Sequence, residues 1–136
     1  MNLTGNLTML TGSLINLSGV SCTSGTCQNA GTLNITAYNI TINGQILAEG
    51  GFALGNAGAH TSGNGGTIRI INASVIYING NISVSSDYFT SSTNIFIGGN
   101  AGKIFINATT VNITENGVVN ARGGNADSEI RKTDSH

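Results

Sequence analysis

The chain has 136 residues, a formal net charge of −1 and charged side chains at only 8% of its positions. That balance excludes the basic stripe on which nucleic-acid binding rests and the basic amphipathic face of a membrane-surface helix. No apolar run approaches the ~20 residues of a membrane span, so no membrane insertion is expected.

The opening Met1-Asn2-Leu3-Thr4-Gly5 carries neither the basic nor the apolar region of a signal peptide. An exported protein would then be represented by its mature form or by an excised fragment. A fragment is favoured, because the chain opens inside a repeat. That first, partial element is Asn6-Leu7-Thr8-Met9-Leu10-Thr11-Gly12-Ser13-Leu14, which matches Asn39-Ile40-Thr41-Ile42-Asn43-Gly44-Gln45-Ile46 with a slip of one residue. After an insertion from Gly19 to Ala30, Gly31-Thr32-Leu33-Asn34-Ile35-Thr36 begins a fuller unit. It returns as Gly66-Thr67-Ile68-Arg69-Ile70-Ile71 and again as Gly102-Lys103-Ile104-Phe105-Ile106-Asn107. Each start leads into a second apolar alternation and an Asn-Gly pair, at Asn43-Gly44, Asn79-Gly80 and Asn116-Gly117. In the middle unit a third short run follows, Asn81-Ile82-Ser83-Val84-Ser85. Further insertions run from Gly50 to Gly65 and from Ser86 to Ala101, at the same point of each unit.

Asn at 19 positions and Ser plus Thr at 29 would read as disorder if the apolar residues, 39% of the chain, did not alternate with them. Alternation at period 2 sets Ile, Leu and Val on one face of a strand and Asn, Ser and Thr on the other. Three short strands joined by tight corners make one coil, with Gly, and next best Asn, tolerating positive φ at a corner. A period of 35–36 residues carried by β-type sequence means units stacked on one another. The expected fold is all-β: a right-handed parallel β-helix of about three and a half coils with insertions on one side, under ~20 Å long at ~4.8 Å per coil. Leu33, Ile68 and Ile104 should form one inward column, Ile35, Ile70 and Ile106 a second, and Ile42, Ile78 and Ile113 a third. The rival is an antiparallel arrangement, because Asn-Gly between apolar runs is also a hairpin signal; a sandwich, however, has no reason to repeat its strands in phase. The repeats fall near 6–30, 31–65, 66–101 and 102–124. Residues 125–136, rich in charge, read as a polar tail or as a cap that keeps the last coil from pairing edge to edge.

Three stretches, Gly65-Gly66-Thr67-Ile68-Arg69-Ile70, Ile78-Asn79-Gly80-Asn81-Ile82-Ser83-Val84 and Val118-Val119-Asn120-Ala121-Arg122-Gly123-Gly124, carry a resemblance. They resemble the glycine-rich parallel β-helix repeats of large microbial surface and adhesin-like proteins. The likeness covers roughly residues 31–124, with 6–14 as a weaker copy. It implies fold and cell-surface context and supplies no catalytic residue. The chain departs from the densest such repeats in its longer, more varied insertions.

Nine Asn-X-Ser/Thr sequons stand at Asn2, Asn6, Asn16, Asn34, Asn39, Asn72, Asn81, Asn107 and Asn112. They are candidate glycan acceptors in an exported protein, Asn34 and Asn39 foremost. A half-buried strand also writes Asn-Ile-Thr unaided, with both polar residues outward. Cys22 and Cys27, in the first insertion, can close a local disulfide. Zinc would need two further ligands, and His60 is the sole internal histidine. The run Gly98-Gly99-Asn100-Ala101-Gly102-Lys103 fails as a phosphate loop, since Ile97 and Ile104 occupy positions that need Gly and Ser or Thr. Gly123-Gly124-Asn125-Ala126-Asp127 is a single imperfect echo of a calcium repeat.

No catalytic residue, cofactor or metal is therefore assigned. The expected function is a structural, non-enzymatic segment of an extracellular or cell-surface protein. It would self-associate through open ends into a filament or surface layer, or form part of a longer adhesin-like stalk, with glycans or neighbouring surface proteins as possible contacts. The rival is a carbohydrate-active or carbohydrate-binding β-helix. Glu49 and Asp87 follow the third strand in successive repeats, and neighbouring coils could hold two carboxylates at the ~5–9.5 Å that glycosidic cleavage requires.

Overall fold

The computed structural model describes residues 1–54, 59–86 and 95–124. In chain order the strands are β1 (Leu7–Met9), β2 (Leu14–Asn16), β3 (Gly25–Thr26), β4 (Thr32–Thr36), β5 (Asn39–Ile42), β6 (Gln45–Leu47), β7 (Ala59–Thr61), β8 (Thr67–Ile78), β9 (Asn81–Ser83), β10 (Ile95–Ile97), β11 (Lys103–Ile113) and β12 (Val118–Asn120). Among the described residues there is no helix, and the protein is all-β. One sheet runs β1-β5-β8-β11, with β4 also on β8; a second runs β2-β6-β9-β12 and a third β3-β7-β10. Every ladder is parallel and joins a strand to its counterpart one repeat away.

The register follows from the apolar alternation. Leu33 and Ile104 both face Ile68, Ile35 and Ile106 both face Ile70, and Ile42 and Ile113 both face Ile78. Ile15, Ile46, Ile82 and Val119 make a further column on the second sheet. A slip of one residue would turn each column outward, so the buried face fixes the register. Ile35, Ile40, Ile42, Ile46, Ile68, Ile70, Ile76, Ile78 and Ile82 are all 0% exposed and form one continuous core. Each such side chain stabilises the fold by ~1.5–3 kcal/mol.

Asn79-Gly80 does not make a hairpin. β8 pairs with β4, β5 and β11, while β9 pairs with β6 and β12, so the dipeptide is a corner between two sheets. Asn79 Nδ2 donates to Asn43 Oδ1 at 2.7 Å, binding one corner to the corresponding corner of the repeat before it. A Cβ built at Gly80 would lie 1.9 Å from the Gly44 carbonyl oxygen, an approach only glycine allows. The first and last repeats turn the same corner with four residues. Ser13 N–H donates to Leu10 O at 3.0 Å, and Gly117 N–H donates to Thr114 O at 2.9 Å. The longer first corner sets Leu14 opposite Gln45 and Ile15 opposite Ile46, a slip of two residues where the sequence match gave one.

The first sheet bends within β8 at Asn72, whose φ of 60° lies in the left-handed region that Asn tolerates. There the third repeat holds one residue more than the fourth, and the ladder shifts register between Ile106 and Ala108. This is a bulge that absorbs the extra residue without disturbing the columns on either side.

The insertions are more than connecting loops. Their described residues supply the third sheet, with Gly25 and Phe96 both opposite His60. Each insertion is drawn together at its base. Gly31 N–H donates to Leu17 O at 2.8 Å, Gly66 N–H to Ala48 O at 2.8 Å and Gly102 N–H to Val84 O at 2.7 Å. The Gly rows flanking the insertions thus serve backbone contact: a Cβ at Gly50 would meet Gly63 O at 1.8 Å and one at Gly65 would meet Val84 O at 1.8 Å.

Ile70→Asp places an unpaired carboxylate in a closed apolar column, a cost comparable with the ~5–15 kcal/mol stability of a whole domain, so the cooperative urea transition should be lost. The outward neighbour change Asn34→Asp should stay within ~0.5 kcal/mol of wild type. Gly80→Ala should lower stability by ~1–3 kcal/mol through backbone crowding. Gly5, where a Cβ meets nothing within 4 Å, should tolerate the same change in a parallel thermal melt.

Candidate functional site

Cys22 and Cys27 are joined in a disulfide with their Cα atoms 5.1 Å apart. The bond sits at the first-repeat end of the insertion region. Cys27 and Ala53 are buried and, with Cys22 against them, form a small second core separate from the isoleucine columns. Backbone bonds fasten this segment to the next repeat: Cys22 N–H to Phe52 O at 3.0 Å, Leu54 N–H to Cys22 O at 2.8 Å and Cys27 N–H to Thr61 O at 2.8 Å. A two-repeat core of Cys and Ala buries little apolar surface, and the covalent link compensates by restricting the unfolded chain. A bonded cysteine pair is what an oxidising compartment sustains.

Where the insertions leave the second sheet, polar side chains collect. Ser83, Ser85 and Ser86 are buried, and Ser83 Oγ donates to Glu49 Oε1 at 2.6 Å. Ser83 and Ser85 hydroxyls lie 3.3 Å apart, Ser86 Oγ donates to Gly63 O at 2.9 Å, and Ser18 Oγ accepts from Glu49 N–H at 3.1 Å. Leu47 faces Ser83, and the bonds Ala48 N–H to Ser83 O and Gly50 N–H to Ser85 O extend that register. Ser85, a hydroxyl and not an acid, therefore stands beside Glu49 in the following repeat. Asp87 lies outside the described residues, and so do Asp127, Glu129, Asp134 and His136. Among the described residues the cluster satisfies buried hydroxyls around one half-buried carboxylate, that of Glu49. Among the described residues no group of three or more His, Cys, Asp or Glu could hold a metal ion. His60 is 1% exposed within the third sheet.

Of the nine sequon asparagines, Asn2, Asn6, Asn16, Asn34, Asn72, Asn107 and Asn112 are exposed, whereas Asn39 and Asn81 are half-buried. Asn34 stands opposite Arg69 on the outward face of the first sheet, where the Arg69 guanidinium lies 4.5 Å from the centre of the Phe105 ring. Asn16 Oδ1 is engaged locally, accepting from Ser18 N–H at 2.9 Å.

A second asparagine row went unread in the sequence. Asn64 N–H donates to Asn29 Oδ1 at 2.8 Å, and Asn100 N–H donates to Asn64 Oδ1 at 2.7 Å. The signal was present as Asn29-Ala30-Gly31, Asn64-Gly65-Gly66 and Asn100-Ala101-Gly102, an Asn two residues before each repeat start. The Asn29 and Asn64 side chains both reach toward the following repeat, so the row has a direction.

The two ends of the array differ from its middle. Val111, Ile113 and Val119 are 41%, 53% and 37% exposed, although Ile76, Ile78 and Ile82 beside them in the same columns are 0% exposed. Met1, Leu10 and Leu14 are exposed at the opposite end. The edges of β10, β11 and β12 carry backbone groups without strand partners among the described residues, a surface natural sheets ordinarily cover.

Replacing both cysteines by serine should cost ~2 kcal/mol, the loop-closure value for so short a ring. Hydrogen exchange should quicken at Cys27 and Leu54 amides while the Ile70 amide keeps its protection; uniform acceleration would mean that the two cores are not separate. No protein-family model, curated protein or solved structure matches the chain.

Proposed function

We propose that this chain is a right-handed parallel β-helix, a solenoid whose coils are the repeats. We propose that it serves as a structural, non-enzymatic segment of an extracellular or cell-surface protein, within a filament, a surface layer or a longer stalk. The observation that carries the reading is the uniform parallel pairing of each strand with its counterpart one repeat away. A chain that repeats such pairing in three sheets must advance one strand spacing per repeat, and β-crossovers between parallel strands are right-handed in nearly all proteins. Such a stack is a stiff, quasi-one-dimensional spacer.

Placement outside the cell rests on the disulfide, on the run of exposed sequons and on the resemblance to surface-protein repeats. The non-enzymatic reading rests on the register at Glu49, whose neighbour is Ser85. The rival, a carbohydrate-active or carbohydrate-binding solenoid, would work through Glu49 and Asp87.

Incubation with a panel of neutral and acidic polysaccharides should release no new reducing ends. Turnover by the wild type that Glu49→Gln abolishes would overturn the structural reading and establish the rival. Glycopeptide mapping of material from the native source should find glycans on exposed sequons, Asn34 among them; wholly unmodified sequons would remove that support for export.

A further inference from the structure

Resting on the solenoid reading, we infer that the open last coil binds the first coil of a second copy of this chain, head to tail, and that the register of this contact is set by the columns already present. Three independent features of the two ends fit one another.

The first is apolar. Leu7, Ile40, Ile76 and Val111 share one column, Met9, Ile42, Ile78 and Ile113 a second, and Ile15, Ile46, Ile82 and Val119 a third. In the two middle coils these positions are 0% exposed, and at the last coil they open to 41%, 53% and 37%. A second copy continuing the columns sets its Leu7, Met9 and Ile15 over Val111, Ile113 and Val119.

The second is the backbone. Val118 N–H donates to Gly80 O and Val84 N–H donates to Asn120 O, each at 2.9 Å. Successive residues of a strand turn their peptide groups to opposite edges, so those of Val119 face the open side. At the other end Gln45 N–H donates to Ser13 O at 2.9 Å and Leu17 N–H to Leu47 O at 2.7 Å, leaving the peptide groups of Leu14 and Asn16 outward. Continuing the existing pattern, Val119 N–H donates to the Leu14 carbonyl of the second copy, and that copy's Asn16 N–H donates to the Val119 carbonyl.

The third is the directional asparagine row. Its side chains accept from the following coil, so the row ends in the Asn100 amide oxygen at one end and begins with the Asn29 N–H at the other. Ala30 N–H donates to Asn64 O at 2.9 Å, which turns the Asn29 N–H away from the second coil, and it has no acceptor among the described residues. The second copy's Asn29 N–H completes the row on Asn100. Acceptor meets donor only when last coil meets first coil. The contact is therefore heterologous, and because successive copies do not close on themselves it propagates as a filament.

The test uses proline at two edge positions whose N–H makes no bond among the described residues. Val119→Pro blocks the last coil and Leu14→Pro blocks the first, and each should keep the wild-type urea midpoint within experimental scatter, since proline is tolerated on an edge strand. By sedimentation velocity the 136-residue wild type should form a concentration-dependent series, visible as filaments by electron microscopy. Each variant alone should be monomeric, with half-association moved to at least about tenfold higher concentration. An equimolar mixture of the two should give dimers and nothing larger, because only one pair of compatible ends remains. A wild type monomeric at all concentrations overturns the inference, as does a blocked variant that still dimerises with itself. Association that appears only after removal of residues 125–136 also overturns it, because the tail would then be the occupant. Hydrogen exchange on the same wild-type sample separates this failure from failure of the solenoid reading. Protected Ile40, Ile42 and Ile78 amides in a monomer leave the solenoid intact, whereas unprotected ones remove it.

Discussion

Backbone hydrogen bonding between equivalent residues of successive repeats is the constraint on which the other features depend. In a parallel ladder a residue can be satisfied only by a strand that runs the same way, and here that strand is always supplied by a neighbouring repeat. Equivalent side chains are then brought to about the ~4.8 Å strand spacing, so each position must be compatible with copies of itself. Isoleucine meets that requirement in the interior, and asparagine meets it at the corners, where Asn79 Nδ2 reaches Asn43 Oδ1 at 2.7 Å. Charge does not meet it, because like charges one spacing apart repel. That accounts for a chain with charged side chains at only 8% of positions. The glycines belong to the same constraint. Where two repeats touch through backbone alone, as Gly65 does against Val84 O and Gly102 against Gly66 O, a side chain would force the ladder apart.

The insertions extend this logic beyond the main columns. Pinched at their bases by Gly31, Gly66 and Gly102, they pair with one another instead of with the first two sheets. The apolar cluster among their described residues is small. One end of that region is fastened by a disulfide over Ala53, while the base is filled by serine hydroxyls that find partners in Glu49, in one another and in the Gly63 carbonyl. The polar cluster thus has a structural explanation: hydroxyls buried where the insertions leave the second sheet have to be paired. Among the described residues Glu49 is met there by hydroxyls and by no second acid.

Where strands pair only with neighbouring repeats, the outermost described strands keep one edge without a strand partner among the described residues. The middle repeats bury their isoleucines completely, while Val111, Ile113 and Val119, chemically the same kind of side chain, remain in contact with solvent. Nothing in the residues themselves distinguishes the two situations. The difference is only whether another repeat lies on top, which makes end exposure a property of the array. The asparagine row through Asn29, Asn64 and Asn100 adds polarity, because the Asn29 and Asn64 side chains both accept from the following repeat.

The sequence by itself determined the period, the strand faces and the partners within each column. Leu33, Ile68 and Ile104 could be assigned to one ladder because equal spacing and equal alternation leave no other register that buries them together. The cysteine pair was legible for a similar reason, being too close in sequence to reach anything else first. Other features required the tertiary structure. Asn-Gly has the local preferences of a hairpin and of a corner alike, and only the pairing of β8 with β11 and β9 with β12 separated them. The slip at the first corner was misread because four residues and two can span the same turn. The third sheet was invisible because its strands are short, differ from repeat to repeat and are held by backbone bonds that no side-chain pattern records. Glu49 lies beside Ser85 because the register of Gln45 on Asn81 runs on unbroken past the ends of β6 and β9, whereas counting from the strand ends alone does not fix which residues are level. Side-chain alternation is written residue by residue and can be read directly; which backbone segments meet depends on the path of the whole chain, and only the folded structure fixes it.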